Sequence, residues 1–181
     1  MTTSNQQAAL LLERAMLDPR FAAVCERARE TAPVGFRDQA DAAISEATDL
    51  LQQAGQLISD EASRLVTPGE LPGWLRLGII QAFVSWISGG GETCRHNLHP
   101  GHPQPIFAAL WRPDLTVCGF CLHLFSLAPD SEAAHTCDAC GRVCARTADD
   151  GITPGMLQIG PLTVQYGACD DCLPATLGRP C

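Results

Sequence analysis

Three Cys-x-x-Cys pairs, Cys118/Cys121, Cys137/Cys140 and Cys169/Cys172, lie between residue 118 and the end of this 181-residue chain. A partial fourth pair precedes them in Cys94-Arg95-His96-Asn97-Leu98-His99. Zinc takes thiolate and imidazole ligands readily, and a structural site closes with four of them. Four ligand pairs therefore suffice for two tetrahedral ions. Whatever else the chain does, its fold has to bring these short loops together.

The start, Met1-Thr2-Thr3-Ser4-Asn5-Gln6-Gln7, has no cationic leader region. The most apolar stretch, Trp74 to Ile87, is short for a bilayer and contains Arg76 and Gln81. A cytoplasmic location is expected, and in a reducing compartment paired cysteines favour metal over disulfide.

The two halves differ in composition. Residues 1–88 are rich in Ala, Leu, Gln and Glu, and residues 89–181 in Cys, Pro, Gly and His. The expected fold is α+β. An N-terminal α-helical hairpin or bundle over 1–88 precedes a small zinc-stapled β-hairpin domain over 89–181, divided into units at about 92–127 and 135–175. The second part has few large aliphatic residues, and domains of that kind commonly rely on metal or disulfides.

The formal net charge is −8 and there is no Lys. Seven Arg face eleven acids in 1–88, and five Arg face nine acids in 89–181. A nonspecific nucleic-acid binder shows a basic face, and no run here supplies one, although Arg95, Arg112, Arg142 and Arg146 could cluster in space. The missing Lys, with abundant Ala and Arg, points to a high-GC coding bias.

Ala8, Leu11, Leu12, Ala15 and Met16 suit an amphipathic helix over residues 5–17. Asp18-Pro19 reads as the N-cap and first residue of a second helix, running to about Glu30. Ala32-Pro33-Val34-Gly35 breaks it. From Arg37 to about Val66, Ala40, Ile44, Ala47, Leu51, Ala54, Ile58 and Leu65 form a seam with steps of four and three, broken by Glu61. This seam serves either a bundle packing on itself or a dimer. Trp74 to Ile87 is apolar nearly all round, as in a buried helix linking the two parts, and Ser88-Gly89-Gly90-Gly91 ends it.

Segments 114–122 and 161–173 resemble each other. In each, a β-type run leads into a Cys pair followed by apolar residues able to start a helical turn. Each is preceded by a first pair: Cys94 with His96 or His99, and Cys137/Cys140 followed by Gly141. With a β-hairpin expected across Arg142–Gly167, the region 137–173 resembles treble-clef and zinc-ribbon zinc-binding modules, and 94–125 is a looser copy. The chain is also loosely similar to small zinc-binding proteins of high-GC bacteria. The resemblance implies zinc, two ions per chain, and no particular activity.

Three pairings of the eight ligand positions are open. The favoured one is sequential, 94/96/118/121 and 137/140/169/172. A local scheme joins 118/121 to 137/140 and leaves Cys94 and its histidines to 169/172. A cross-brace joins 94/96 to 137/140 and 118/121 to 169/172. His96 is favoured over His99, because residues two apart in an extended segment share a face and Pro100 restrains His99. His102 and His135 read as surface residues, His123 as either a donor to a sulfur or a surface residue, Cys144 as a buried strand thiol that could also replace a ligand, Cys25 as helix core and Cys181 as a free terminal thiol.

A catalytic reading would use Cys94-x-His96-x-x-His99-x-x-His102 as an open metal site, with Glu92 or Asp114 as base. No His-Glu-x-x-His or deaminase-type motif accompanies it, and a closed site with Cys118/Cys121 competes. Three matched pairs likewise argue against a dithiol redox role. No catalytic residue or organic cofactor site is assigned. The expectation is a noncatalytic zinc-binding interaction or regulatory protein, with a protein partner or homo-oligomer formed through the N-terminal helices. The alternatives are a zinc-dependent regulator that binds specific nucleic acid, and a metal-dependent hydrolase or nuclease using residues 94–102.

Overall fold

The computed structural model describes residues 4–58, 65–145 and 150–173. Among these, four α-helices precede a five-stranded mixed sheet: α1 (Ser4–Met16), α2 (Phe21–Thr31), α3 (Val34–Ile58), α4 (Gly73–Ile87), β1 (Glu92–Thr93), β2 (Ile106–Ala109), β3 (Arg112–Val117), β4 (Thr153–Ile159) and β5 (Leu162–Ala168). Short 3-10 turns occupy Gly119–Phe125 and Ala133–His135.

The helices follow the apolar periodicity with shifted ends. Asp18 does not cap α2 directly. Its carboxylate accepts from the backbone N–H of Arg20 at 2.9 Å and from the Arg20 guanidinium, and the helix begins only at Phe21. Helix α3 starts three residues earlier than its seam implied, at Val34. It buries Ala43 and Ala47, whereas Ile44 stays on its exposed side. Leu65 is fully exposed, and the predicted break at Glu61 lies outside the described residues, as do Arg146 and Cys181. Cys25 was expected in the core, but α2 buries none of its residues and the thiol is exposed. The periodicity there marks an apolar face that nothing in the described chain covers.

The sheet order is β1-β3-β2-β5-β4. It consists of two hairpins, β2–β3 and β4–β5, each turning in two residues and joined side by side through the parallel pairing of β2 with β5. Gly160 at the β4–β5 turn has φ +57°, a position where glycine is favoured in two-residue hairpins. Because β3 opposes β2 and β2 parallels β5, strands β3 and β5 finish at opposite ends of the sheet. Cys118 directly follows β3 and Cys169 directly follows β5, so the two Cys pairs sit at opposite ends.

Opposed residues of an antiparallel pair project to the same face. Tyr166, Val164 and Leu162 therefore share one face of β5, and Thr163 and Gln165 the other. Helix α4 covers the first, with Trp74 meeting Tyr166 edge-on at 5.8 Å. Helix α3 reaches the second, where Thr48 donates to Gln158 Oε1 at 3.2 Å and Gln158 Nε2 donates to the Ile44 carbonyl at 3.1 Å. Leu75, Ile79 and Trp86 of α4 belong to one apolar core with Ile106, Val117, Leu162 and Val164 of the sheet and the buried cysteines. Helix α1 rests on α4, where Arg76 and Glu13 form a largely buried ion pair at 2.7 Å.

Candidate metal centres

Two four-residue groups present their ligand atoms to a common centre: Cys94, His96, Cys118 and Cys121, and Cys137, Cys140, Cys169 and Cys172. Within each group all ligand atoms lie within 4.8 Å of one another. These are the combinations of the sequential pairing, and either group could hold a metal ion.

The first group is assembled by a turn after β1. The Cys94 N–H donates to the Thr116 carbonyl at 3.2 Å, which pins Cys94 beside the end of β3. The Asn97 N–H then donates to the Cys94 carbonyl at 3.1 Å, and Asn97 itself takes φ +49°, a region asparagine tolerates better than most residues. The chain reverses there and Leu98 plugs into the core. This turn, and not an extended segment, carries His96 back over the sulfurs. Its Nδ1 lies 3.7 Å from Cys94 Sγ, 3.3 Å from Cys118 Sγ and 3.4 Å from Cys121 Sγ. Cys118 and Cys121 open the 3-10 turn, where the Cys121 N–H donates to the Cys118 carbonyl at 2.9 Å.

The second group has the same plan. Thr136 and Val143 form an isolated bridge, Cys137 N–H donates to the Arg142 carbonyl, and Gly141 N–H donates back to the Cys137 carbonyl, both at 2.8 Å. Gly141 closes this loop at φ +73°, which a residue with a Cβ rarely adopts. After β5, the N–H groups of Cys172 and Leu173 both donate to the Cys169 carbonyl at 2.9 Å, starting a helical turn. The Cys169 N–H also points at Cys137 Sγ, at 3.4 Å.

The spacing can be tested against a tetrahedral ion. Zn–S bonds of about 2.3 Å imply S···S edges of about 3.8 Å, and a Zn–N bond of about 2.0 Å implies S···N edges of about 3.5 Å. Cys94 and Cys118 sulfurs are 3.8 Å apart and those of Cys140 and Cys169 are 3.9 Å apart. The three His96 distances bracket the expected S···N edge. A disulfide would need about 2.0 Å. The donor sets thus fit a borderline-soft divalent ion of zinc's size.

The thiols of each group influence one another. Burial works to raise Cys94 and Cys137, but donors outweigh it: backbone and ring donors from Cys118 and His96 for Cys94, and backbone donors from Cys169, Cys140 and Ala139 for Cys137. Each is left at about 7. Burial and neighbouring sulfurs push Cys121 to about 11 and Cys172 to about 12. Negative charge on one sulfur opposes the next ionisation, and a divalent cation relieves that opposition.

The other candidates lie outside these groups. The His99 Nδ1 accepts from the Gly101 N–H at 3.0 Å, and its ring sits 5.8 Å from that of His102, both exposed. His123 is exposed on the 3-10 turn, and His135 Nε2 is 2.9 Å from the Pro129 carbonyl. Glu92 and Asp114 are exposed and join neither group. Cys144 is buried, with its N–H on the His135 carbonyl, and burial together with the Asp150 carboxylate raises its thiol.

Two features escaped the sequence reading. Asp138, inside the Cys137/Cys140 pair, is bonded to Gly167 just ahead of Cys169. Phe120, between Cys118 and Cys121, is 91% exposed. An apolar side chain between two ligands that must face inward was a legible sign that it would be turned outward. Comparison with family models, curated proteins and solved structures finds no match to the chain.

Proposed function

We propose that the protein is a noncatalytic, cytoplasmic zinc-dependent interaction module. Two treble-clef-like units, each a ligand-bearing turn, a β-hairpin and a second Cys pair on a helical turn, clamp opposite ends of one sheet. The sheet and α4 form the rigid part, and α1–α3 offer the surface for a protein partner or a second copy.

The observation that carries this reading is the donor geometry. Each group supplies four ligand atoms within 4.8 Å of one another, with Cys94–Cys118, the three His96 contacts and Cys140–Cys169 near tetrahedral edge lengths; three or four of the donors are cysteine sulfurs, the composition of closed structural zinc sites. Four protein ligands leave no coordination position for a substrate, and several thiolates weaken a Lewis acid. In the domain scheme this implies, the metal-bearing part extends to include α4, whose core it shares.

The partner reading rests on apolar side chains of the helices. Leu11, Leu17 and Val24 are each about half or more exposed, as are Val34 and Phe36 to a similar degree. An 11-residue helix that buries nothing is marginal in water, so a cover for α2 would account for its sequence. Charge favours protein over nucleic acid. Arg142 is engaged by Asp150 at 2.9 Å and by Asp171 at 3.7 Å. Thiolate-rich sites would add negative charge to a chain already at −8. No helix among the described residues is long and apolar enough to cross a membrane.

The test is elemental analysis of reduced, tag-free protein with Cys94→Ser and Cys169→Ser variants, alongside sedimentation equilibrium of Val24→Glu. Two zinc ions per chain, falling to one in either cysteine variant, would support the metal assignment. An assembly weakened by Val24→Glu would support self-association through the helices. Zinc below one per chain in the unaltered protein would refute the reading.

A further inference from the structure

A cleft of about 350 Å³ lies beside the second metal group, lined by residues of β4, β5 and the β2–β3 turn. Its walls are apolar and aromatic, with Trp111, Ile152, Pro154, Met156 and Tyr166 among them. Trp111 stands at the β2–β3 turn. Its indole N–H donates to the Phe125 carbonyl at 3.3 Å, and its ring meets Phe125 edge-on. The indole is therefore held in place by the core and not free to swing. Tyr166 is buried between Trp74 and Gly155. Its ring therefore lies on the α4 side of the sheet, and Trp111 is the aromatic wall of the cleft, facing Pro154, Met156 and Gln165 on the other side.

The one charged side chain in this lining is Asp138. It is only partly exposed, and among the described residues its carboxylate accepts from one donor, the Gly167 N–H at 2.6 Å on Oδ2. No Arg or His lines the cleft to neutralise it. A half-buried carboxylate among apolar walls has capacity to accept a further charged donor. The neighbouring side chains offer amide and hydroxyl oxygens in Gln165 and Thr136, and the lining contains no charged donor suited to an anion.

We infer that this cleft binds a monocationic group of side-chain size, an alkylguanidinium or alkylammonium, with its head on Asp138 and its stem against Trp111. The size matches the lower end of small-ligand pockets. Aromatic rings attract such cations as well as covering their stems. The chain's excess of acids favours approach of a cation from solution. This site is separate from the partner surface proposed on the helices, and either assignment can fail without the other.

The experiment is calorimetry on the metal-loaded full chain, with the Trp111 indole N–H followed by NMR. The probes are butylguanidinium, as a free monocation, and Nα-acetylarginine methylamide, as a peptide-borne side chain. The neutral isostere is Nα-acetylcitrulline methylamide. Binding of either cation, with the indole resonance shifting and the citrulline derivative weaker by about tenfold or more, is the expected result. Which cation binds more tightly identifies the free or peptide source. Equal binding of the citrulline derivative would overturn the proposal, as would no response to either cation up to about 10 mM. Asp138→Asn should lower affinity by about tenfold while leaving the walls intact. Ala134→Leu, which fills the cleft without touching a cysteine, should abolish binding with metal content unchanged. Undiminished binding in Ala134→Leu would place the cation elsewhere and refute the assignment.

Discussion

Asp138 and Gly167 exchange hydrogen bonds in both directions: the Asp138 N–H donates to the Gly167 carbonyl at 2.9 Å, and the Gly167 N–H donates to Asp138 Oδ2 at 2.6 Å. One residue lies between Cys137 and Cys140 and the other two places before Cys169. The pair therefore locks the ligand-bearing turn to the strand that delivers the second Cys pair. Groups that orient ligands without touching the metal typically contribute 10–100-fold in metal affinity. Asp138→Ala should weaken retention of the ion at the second group by about that factor and leave the first group, at the other end of the sheet, unchanged. Chelator competition followed by native mass spectrometry would separate the two sites. Equal weakening of both would show that Asp138 acts on the whole fold and not on its own turn.

Gly155 faces Tyr166 across the β4–β5 ladder, and the tyrosine ring lies directly over it. A Cβ at position 155 would collide with that ring, which is itself held by Trp74 of α4. Gly155→Ala should therefore cost about 1–3 kcal/mol, the usual range for overpacking a well-filled site. Tyr166→Leu in the same chain should recover part of the loss, because the shorter side chain vacates the space over position 155. Thermal melts of the single and double variants would show this. Strictly additive losses would mean that the two positions do not compete for the same volume.

Metal removal should reach further than the β-hairpins. Most of the candidate ligand cysteines and α4 belong to one core, and α1 is fastened to α4 through the Arg76–Glu13 ion pair. Structural zinc contributes about 10 kcal/mol or more in peptide systems, comparable to the whole stability of a domain. Cys137→Ser with Cys94→Ser should consequently abolish amide-exchange protection in α4 as well as in β2 and β5. Protection surviving in α4 while the sheet exchanges freely would show that the helices fold independently.

The ligand spacing was legible because three Cys-x-x-Cys pairs admit few alternatives, and α4 was legible because a helix apolar on all sides has to be buried. The structure brings His96 and not His99 to the sulfurs, through a turn with Asn97 at positive φ, a feature set by backbone conformation and not by alternation. Cys25 was misread because periodicity shows that a face is apolar without showing that anything covers it. The order β1-β3-β2-β5-β4 was not legible, since the parallel pairing of β2 with β5 joins segments more than fifty residues apart and leaves no local signal. That pairing places the two metal groups at opposite ends, and the cleft depends on it too, as it brings Trp111 at the β2–β3 turn alongside Gln165 of β5.

Acidification should release the metal, and the thiols give the direction. A metal ion binds thiolates, so protons compete wherever a ligand thiol is protonated. Cys94 and Cys137 sit at about 7, while Cys121 and Cys172 sit at about 11 and about 12. Below about 7 all four are protonated, and each must lose a proton on binding. Of these four, only Cys121 and Cys172 still do so between about 7 and 11. Apparent zinc affinity should therefore rise with pH throughout the range from about 6 to 9, more steeply below 7 than above it. Zinc loading in weakly buffered solution should release protons, with fewer released per ion at pH 8 than at pH 6. Competition titrations at several pH values, paired with proton-release calorimetry, would measure both. A zinc affinity independent of pH across that range would mean that these thiols are not the ligands.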